Sequence, residues 1–353
     1  MDQRVLDKWQ GYFSNNYRAT PFSRSEWIWP KGEQDQFSPY VLDLGCGYAP
    51  LEFKNRNTTR TIRLSGEDYE DIVSAPGEEL EAVGNLLEQL RSRSREWDIC
   101  DFRSLLPDSV LLSVFSDGEG NLVKNSAIAS LLKGLSCSLV PHQTYYHVQI
   151  PDRWETFEEH LGKKLAYQMR SAQGRRTKYF NTSSLRRATP ETLDQDLNAL
   201  FDLHTARWRA KGHSGHFGNE ANRERFRLRS AGLLALGQLR LYTLWLDEKP
   251  ASALFTLSDE RRIYYHCSGF DIEFGKHHPT KVLIAEAIKD GLKHGPGEFD
   301  FMKGEEEYKL FWANGKRTTY RLVVARNTPQ GLAALAALKI QSRLQDLRQS
   351  KSK

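Results

Sequence analysis

Apolar residues cluster in short runs over 237–246 (QLRLYTLWLD), 251–258 (ASALFTLS) and 262–267 (RIYYHC), and the runs predict three strands. The polar turns Asp247-Glu248-Lys249-Pro250 and Ser258-Asp259-Glu260 between them predict an antiparallel meander. Longer patterns on either side predict helices at about 190–210, opened by Thr189-Pro190, at 219–234 and at 279–293. A strand at 297–302 (GEFDFM), a short helix at 305–312 and a strand at 318–326 follow. Thr328-Pro329 then opens a last helix, in which Leu332, Leu335 and Leu338 mark an apolar packing face ahead of a basic end. The first half reads as mixed: strands near 39–45, 60–65, 96–102 and 109–115, and a helix at about 77–92. Two helical turns follow Pro151.

The first half contains Val41-Leu42-Asp43-Leu44-Gly45-Cys46-Gly47, an apolar run ending in an acid and two glycines, which resembles the first motif of S-adenosylmethionine-dependent methyltransferases. Such a turn holds a nucleotide when a helix starts directly after it, because the ligand needs the free N–H groups of that helix. Pro50 and the polar stretch from Lys54 to Arg60 break helical periodicity here, so the expectation is a buried strand ending in a hairpin or loop. Glu67 and Asp68 stand where an acid for a ribose would be, and they read equally well as a turn.

Composition narrows the class. With 353 residues, 39% hydrophobic content, eight Trp and fourteen Tyr, the chain has material for two packed subdomains. No apolar run is long enough to cross a bilayer, and MDQRVLDKWQ lacks the apolar core of a signal peptide, so a cytoplasmic location is expected. Cys46, Cys100, Cys137 and Cys267 stand far apart, which predicts buried thiols rather than a zinc site or a disulfide framework. His213 and His216 form an H-x-x-H without an acid or cysteine at ligand spacing, and a loop is expected there with no metal. Charge changes the picture more: residues 1–150 hold 15 Lys/Arg against 21 Asp/Glu, and residues 151–353 hold 35 against 24. The second half is the one suited to anions.

The stretch from Ile263 to Trp312 (IYYHCSGFDIEFGKHHPTKVLIAEAIKDGLKHGPGEFDFMKGEEEYKLFW) runs strand, basic loop, helix, strand, short helix. That order resembles the acyl-CoA-binding core of the GNAT acyltransferases, in particular the FemAB-like branch grouped around the cellulose-biosynthesis protein CelD. The residues carrying the likeness are Ser268-Gly269, His278-Pro279-Thr280, Asp300-Phe301, Gly304 and Tyr308-Lys309. SREWDICDFRSLLPDSVLL, YYHVQIPDRWETFEEHLGKKLAYQMRS and LFDLHTARWRAKG resemble earlier segments of the same group, so the likeness spans most of the chain from about residue 40. It implies an α/β fold with a mixed sheet. Two GNAT-like units would stand in tandem over 1–150 and 151–327, with a C-terminal amphipathic helix and basic tail over 328–353.

The resemblance also implies a site. Two neighbouring parallel strands, Ile263–Cys267 and Glu298–Met302, would splay and receive the pantetheine arm as an added strand. The helix from Pro279 would turn its positive end to the pyrophosphate of acetyl-CoA or another acyl-CoA. KHHPTK lacks the glycines of the usual GNAT phosphate loop, which leaves Lys276, His277, His278, Lys281 and the Thr280 hydroxyl to bind phosphates through side chains, beside Ser268 and Gly269. Amide formation needs an acid for the leaving thiolate and a base for the amine. Tyr308 is the candidate acid; His266, Glu305 or Glu306 are candidate bases; Asp300 would orient the acceptor.

Residues 162–187 carry eight Lys/Arg and no acid. Arg170 there, with Trp208 and Lys309, is a candidate for substrate binding. Three functions follow from the resemblance: an acyl-CoA-dependent N-acyltransferase (an acetyltransferase in the first instance) acting on an amine of a sugar or small envelope or polysaccharide-related substrate; an aminoacyltransferase using charged tRNA; or a non-catalytic subunit of a polysaccharide-assembly system. The expected partner is a small-molecule or glycan acceptor, with nucleic acid only under the second function.

Overall fold

The structure, a computed structural model, describes residues 3–32, 40–56, 59–123 and 126–351. Pro39 of the predicted first strand, and Ser352-Lys353 of the basic tail, lie outside the described residues. In chain order the elements are helices α1 (Gln3–Asn15) and α2 (Ser25–Ile28), strands β1 (Tyr40–Asp43), β2 (Gly47–Arg56), β3 (Thr59–Leu64) and β4 (Val73–Ser74), α3 (Glu79–Ser92), β5 (Ile99–Leu105), α4 (Val110–Phe115), α5 (Ser126–Leu131) and β6 (Leu135–Gln149). They continue with α6 (Trp154–His160), α7 (Lys163–Tyr179), β7 (Ser183–Arg187), α8 (Leu193–Arg209), α9 (Glu220–Ala235), β8 (Leu239–Leu246), β9 (Lys249–Ser258), β10 (Arg262–Phe270), α10 (Pro279–His294), β11 (Glu298–Lys303), α11 (Glu307–Leu310), β12 (Gly315–Arg326) and α12 (Pro329–Lys351).

Two compact units divide the chain. The first takes residues 1–29, 34–144 and 318–353; the second takes 30–33 and 145–317.

In the first unit the strands run β1-β2-β3-β5-β12. Leu51, Ile62, Leu64, Cys100 and Phe102 from the strands meet Val83, Leu86, Leu87 and Leu90 of α3 and Leu111 and Phe115 of α4 in one buried core. Ile99, Val323 and Ala325 are packed with Leu335 of α12. The early glycine motif is a β1–β2 hairpin: Gly45, at φ +77°, gives its N–H to the Asp43 carboxylate at 2.8 Å, and β2 follows in place of a helix. Gly47 has no room for a side chain, since a Cβ there would lie 2.1 Å from the Val73 carbonyl oxygen. These glycines serve turn geometry and close packing.

Three expectations change. Residues 109–115, expected as a strand, form α4, because Ser109 accepts the Leu112 N–H and the buried Asp71 carboxylate accepts those of Val110 (2.5 Å) and Leu111 (3.2 Å). Burial pushes Asp71 up to about 7 against the pull of those bonds. The helix expected to open at Thr189-Pro190 begins at Leu193, after a turn closed by the Thr189 N–H on the Thr192 hydroxyl. The fifteen-residue strand β6 and strand β2 occupy stretches with no predicted strand.

In the second unit the order is β6-β11-β10-β9-β8-β7. The expected meander is β8-β9-β10, antiparallel throughout. Helices α7 and α10 share a core with the sheet through Leu165, Met169, Leu283, Ile284, Ile288, Phe299 and Phe301. Helix α8 packs against β9 and β10, and Gly269 permits its approach: a Cβ at that position would stand 2.5 Å from the His204 amide nitrogen. This contact brings one side of α8 to the site described next.

Candidate functional site

Strands β10 and β11 run parallel and pair through Arg262↔Glu298, Ile263↔Phe299 and Tyr264↔Asp300, and the pairing ends there. Both strands change register against their other neighbours at this level. On β10, Tyr265 and Cys267 oppose successive residues of β9, so His266 is the extra residue of a bulge. On β11, three steps from Asp300 to Lys303 oppose two on β6, and Met302 takes a left-handed φ of 59°. Two bulges bend the strands away from each other and open the sheet.

Two buried groups fix the opening. Asp300 is 0% exposed; its carboxylate accepts the Met302 N–H at 2.7 Å and an N–H of Arg317 at 3.1 Å, so it holds the bulge. Lys309, 2% exposed, gives its ammonium to the Lys303 carbonyl at 2.5 Å and to Glu306 at 2.9 Å. Neither side chain lines the cavity beyond the opening.

That cavity has a volume of about 750 Å³. Tyr265, His266, Cys267 and Ser268 of β10, Thr280 and Lys281 of α10, Glu306 and Tyr308 near α11, and His204, Arg207 and Trp208 of α8 are among its walls. One wall holds hydroxyls: those of Tyr265 and Ser268 are 2.5 Å apart, and the Tyr308 ring stands 6.4 Å from that of Tyr265. Burial raises both phenols above their ordinary value, with the neighbouring tyrosine adding to the rise at Tyr308, so both hold their protons at neutral pH.

At another end of the cavity α10 begins. Pro279 occupies the first position, and His278 before it supplies the left-handed residue at φ 53°, so the chain turns into the helix without a glycine. Thr280 ties this end to the sheet: its hydroxyl is 3.1 Å from that of Ser252, which donates to the Gly269 carbonyl at 2.9 Å. Lys281 bonds Gln168 of α7, and Arg175 of α7 donates to the Lys276 carbonyl at 2.6 Å. Positive groups crowd here. Burial, then Lys281, Arg175 and His277, depress His278; burial, then Lys276 and Arg175, depress His277; burial, then Lys164, depresses Lys281. A helix N-terminus ringed by mutually repelling cations is suited to an anion. Lys276 and His277 line an adjoining hollow with Arg175 and Tyr179 rather than the main cavity.

The remaining predicted residues divide. Trp208, 38% exposed, stands on the cavity wall; its indole N–H donates to His204 Nε2 at 2.9 Å, and a Cβ on Gly215 would touch it at 2.9 Å. His266 lines the wall with its ring stacked on Phe226 at 5.7 Å. Glu305 is exposed and outside the lining, whereas Glu306 is inside it. Burial opposes ionisation of Glu306, but the Lys309 bond prevails and holds it below the usual carboxylate range. Arg170 is on the surface, ion-paired to Glu158 at 2.7 Å, away from the main cavity. His213 and His216 lie against aromatic rings of Trp208 and Phe217.

Among the wall residues that the sequence does not single out are His204, Arg207 and Tyr265. The segment LFDLHTARWRAKG contains two of them, three residues apart on one helical face, which is the signal that was present. Burial, then His216 and Arg207, depress His204 to about 4, so it is neutral and accepts from Trp208.

Comparison with known proteins fits this geometry. Residues 166–310, which include both splayed strands and α10 between them, match the family described as Acetyltransferase (GNAT) domain. Over that stretch the chain is similar to the GNAT acetyltransferases. No curated protein matches the sequence. Among solved structures the fold is similar to FemX, with a TM-score of 0.60 at 10% identity over 90% of this chain and 95% of that one. It is also similar to the C-terminal domain (DUF2156) of a protein named as a lysylphosphatidylglycerol synthetase from Agrobacterium fabrum, with a TM-score of 0.55, 11% identity, 96% of this chain and 97% of that one. A conserved protein of unknown function from Bacteroides thetaiotaomicron gives 0.55 and 10%, over 91% and 97%. The domain match supports an acyltransferase function, and the fold is similar to that of FemX. Nothing in these matches points to CelD or cellulose synthesis in particular. No helix among the described residues is long and apolar enough to cross a membrane, and no group of three or more His, Cys, Asp or Glu among them could hold a metal ion.

Proposed function

We propose that the protein transfers an acyl group from acyl-CoA, acetyl-CoA in the first instance, to the amine of a small or envelope-related acceptor such as an amino sugar. The observation that carries this reading is the end of β10–β11 pairing at Tyr264 and Asp300. A pantetheine arm in that gap would bond the strand edges, and its diphosphate would face the cations around His278, Thr280 and Lys281. The thioester would then lie near the Tyr265–Tyr308 pair.

The chemistry assigned to the residues is direct. The acceptor nitrogen, relieved of a proton by His266 or Glu306, attacks the thioester carbon. A C–N bond forms, the C–S bond breaks, and Tyr308 protonates the leaving thiolate. Residues 151–327 form the acyltransferase unit in this proposal, residues 1–150 a second GNAT-like unit, and the cytoplasm is the place where the donor is available.

A second reading is an aminoacyltransferase that takes its acyl group from charged tRNA. The likeness to FemX over 90% of this chain favours it, as does α7, with Lys163, Lys164, Arg170, Arg175, Arg176 and Lys178 on a helix without acids. Titration calorimetry with acetyl-CoA and longer acyl-CoAs separates the two. Saturable binding of a CoA thioester supports the first reading; absence of binding to any CoA thioester, with salt-dependent binding of aminoacyl-tRNA, replaces it by the second.

A further inference from the structure

Several charged side chains of the second unit are ion-paired. Arg187 and Arg240 meet Asp290, Arg262 and Arg317 meet Glu298, and Arg186 meets Asp196. Lys309, beside the cavity, is bound to Glu306. Arg207 differs. It is half-buried in the cavity wall, its guanidinium lies over the Phe270 ring at 5.0 Å, and among the described residues no carboxylate stands within ion-pair distance of it. Its charge acts on Tyr265, Tyr308, Glu306 and His204, which surround the place of reaction. Lys211, one turn further along, sits 5.5 Å over the Trp208 ring and adds positive charge to the same wall.

A partly desolvated guanidinium without a carboxylate is unfavourable, and ring stacking offsets only part of that cost. Stacking holds the planar fork and leaves its N–H donors for a ligand. The cations suited to the donor's phosphates are on α7 and α10, so a fork on α8 beside the tyrosines faces a different part of the reacting complex. We propose that Arg207 binds a carboxylate of the acyl acceptor, which makes that acceptor an amine bearing its own acidic group: an amino acid or an amino-uronate in place of a neutral amino sugar. The carboxylate is the planar anion that one guanidinium grips through two parallel bonds.

This inference deepens the acyl-transfer reading and rests on it for the identity of the cavity. The test is calorimetric titration of the full chain with two probe pairs that differ in the acid alone: alanine against alaninamide, and 2-amino-2-deoxyglucuronate against glucosamine. The expected result is that the acidic member of at least one pair binds about tenfold tighter. Arg207→Gln should bring that ratio to about one with acetyl-CoA affinity unchanged, and Arg207→Lys should restore part of it. Equal binding within both pairs, including no heat from either member, overturns the inference. So does a preference that survives Arg207→Gln, or a variant that loses acetyl-CoA instead. Because acetyl-CoA is titrated separately, a protein that ignores it and still discriminates the pairs loses the proposed donor and keeps the acidic acceptor.

Discussion

The ring of Tyr308 stands 6.4 Å from that of Tyr265, centroid to centroid, where the pairing of β10 with β11 ends. Tyr308→Phe removes the proton offered to the leaving group and little packing. Turnover is expected to fall by about 10²–10⁴-fold with donor affinity within about twofold, measured by steady-state kinetics beside calorimetry. Both phenols are raised above their ordinary value, so wild-type activity should show no alkaline loss from tyrosine ionisation up to about pH 10.

His204 gives a pH signature of folding. Its value is depressed to about 4 in the folded chain against about 6.5 unfolded, so the unfolded state binds more protons between these values. The stabilisation is complete above about pH 6.5 and is lost as pH falls towards 4, by roughly 2–3 kcal/mol in all. His204→Gln, which can still accept from Trp208, should flatten Tm against pH in that window; an unchanged slope would count against this role.

Neutralising the cations at the start of α10 should act on the donor and not on the acceptor. Lys281→Gln and Lys276→Gln are each expected to weaken acyl-CoA binding about 3- to 10-fold at low salt, with the difference shrinking as salt rises. Titrations at two ionic strengths read this directly.

Lys309 is expected to be structural in its effect. Lys309→Met leaves the Lys303 carbonyl without its ammonium donor and frees Glu306, at an expected cost of about 3 kcal/mol. Thermal unfolding should show a drop of several degrees. Activity per folded molecule should fall as well, since Tyr308 precedes Lys309 on the same short helix.

Much of the second unit was legible because its strands are short apolar runs with polar turns, and because the order of strand, loop, helix and strand from Ile263 to Trp312 is itself informative. β6 was not: LSCSLVPHQTYYHVQ mixes Pro141, His142 and Gln143 into a half-exposed strand with no clean alternation. VLLSVF is apolar apart from Ser113 and fits strand or helix; Asp71, distant in sequence, decides for helix. At the site, Tyr308, Ser268, Thr280 and Lys281 could be placed from motif order. Asp300 and Lys309 read as functional charges, and burial employs them as supports. His204 and Arg207 reach the cavity through the close approach at Gly269, a tertiary event that no local pattern announces.

Asp300 has a last consequence. Because a buried carboxylate of the chain itself keeps the β11 bulge in place, the gap is set by folding. The ordering entropy is spent when the chain folds, and association needs no rearrangement of the backbone. Donor capture should therefore follow simple one-step kinetics, with a rate governed by diffusion and charge attraction and no slow isomerisation after encounter.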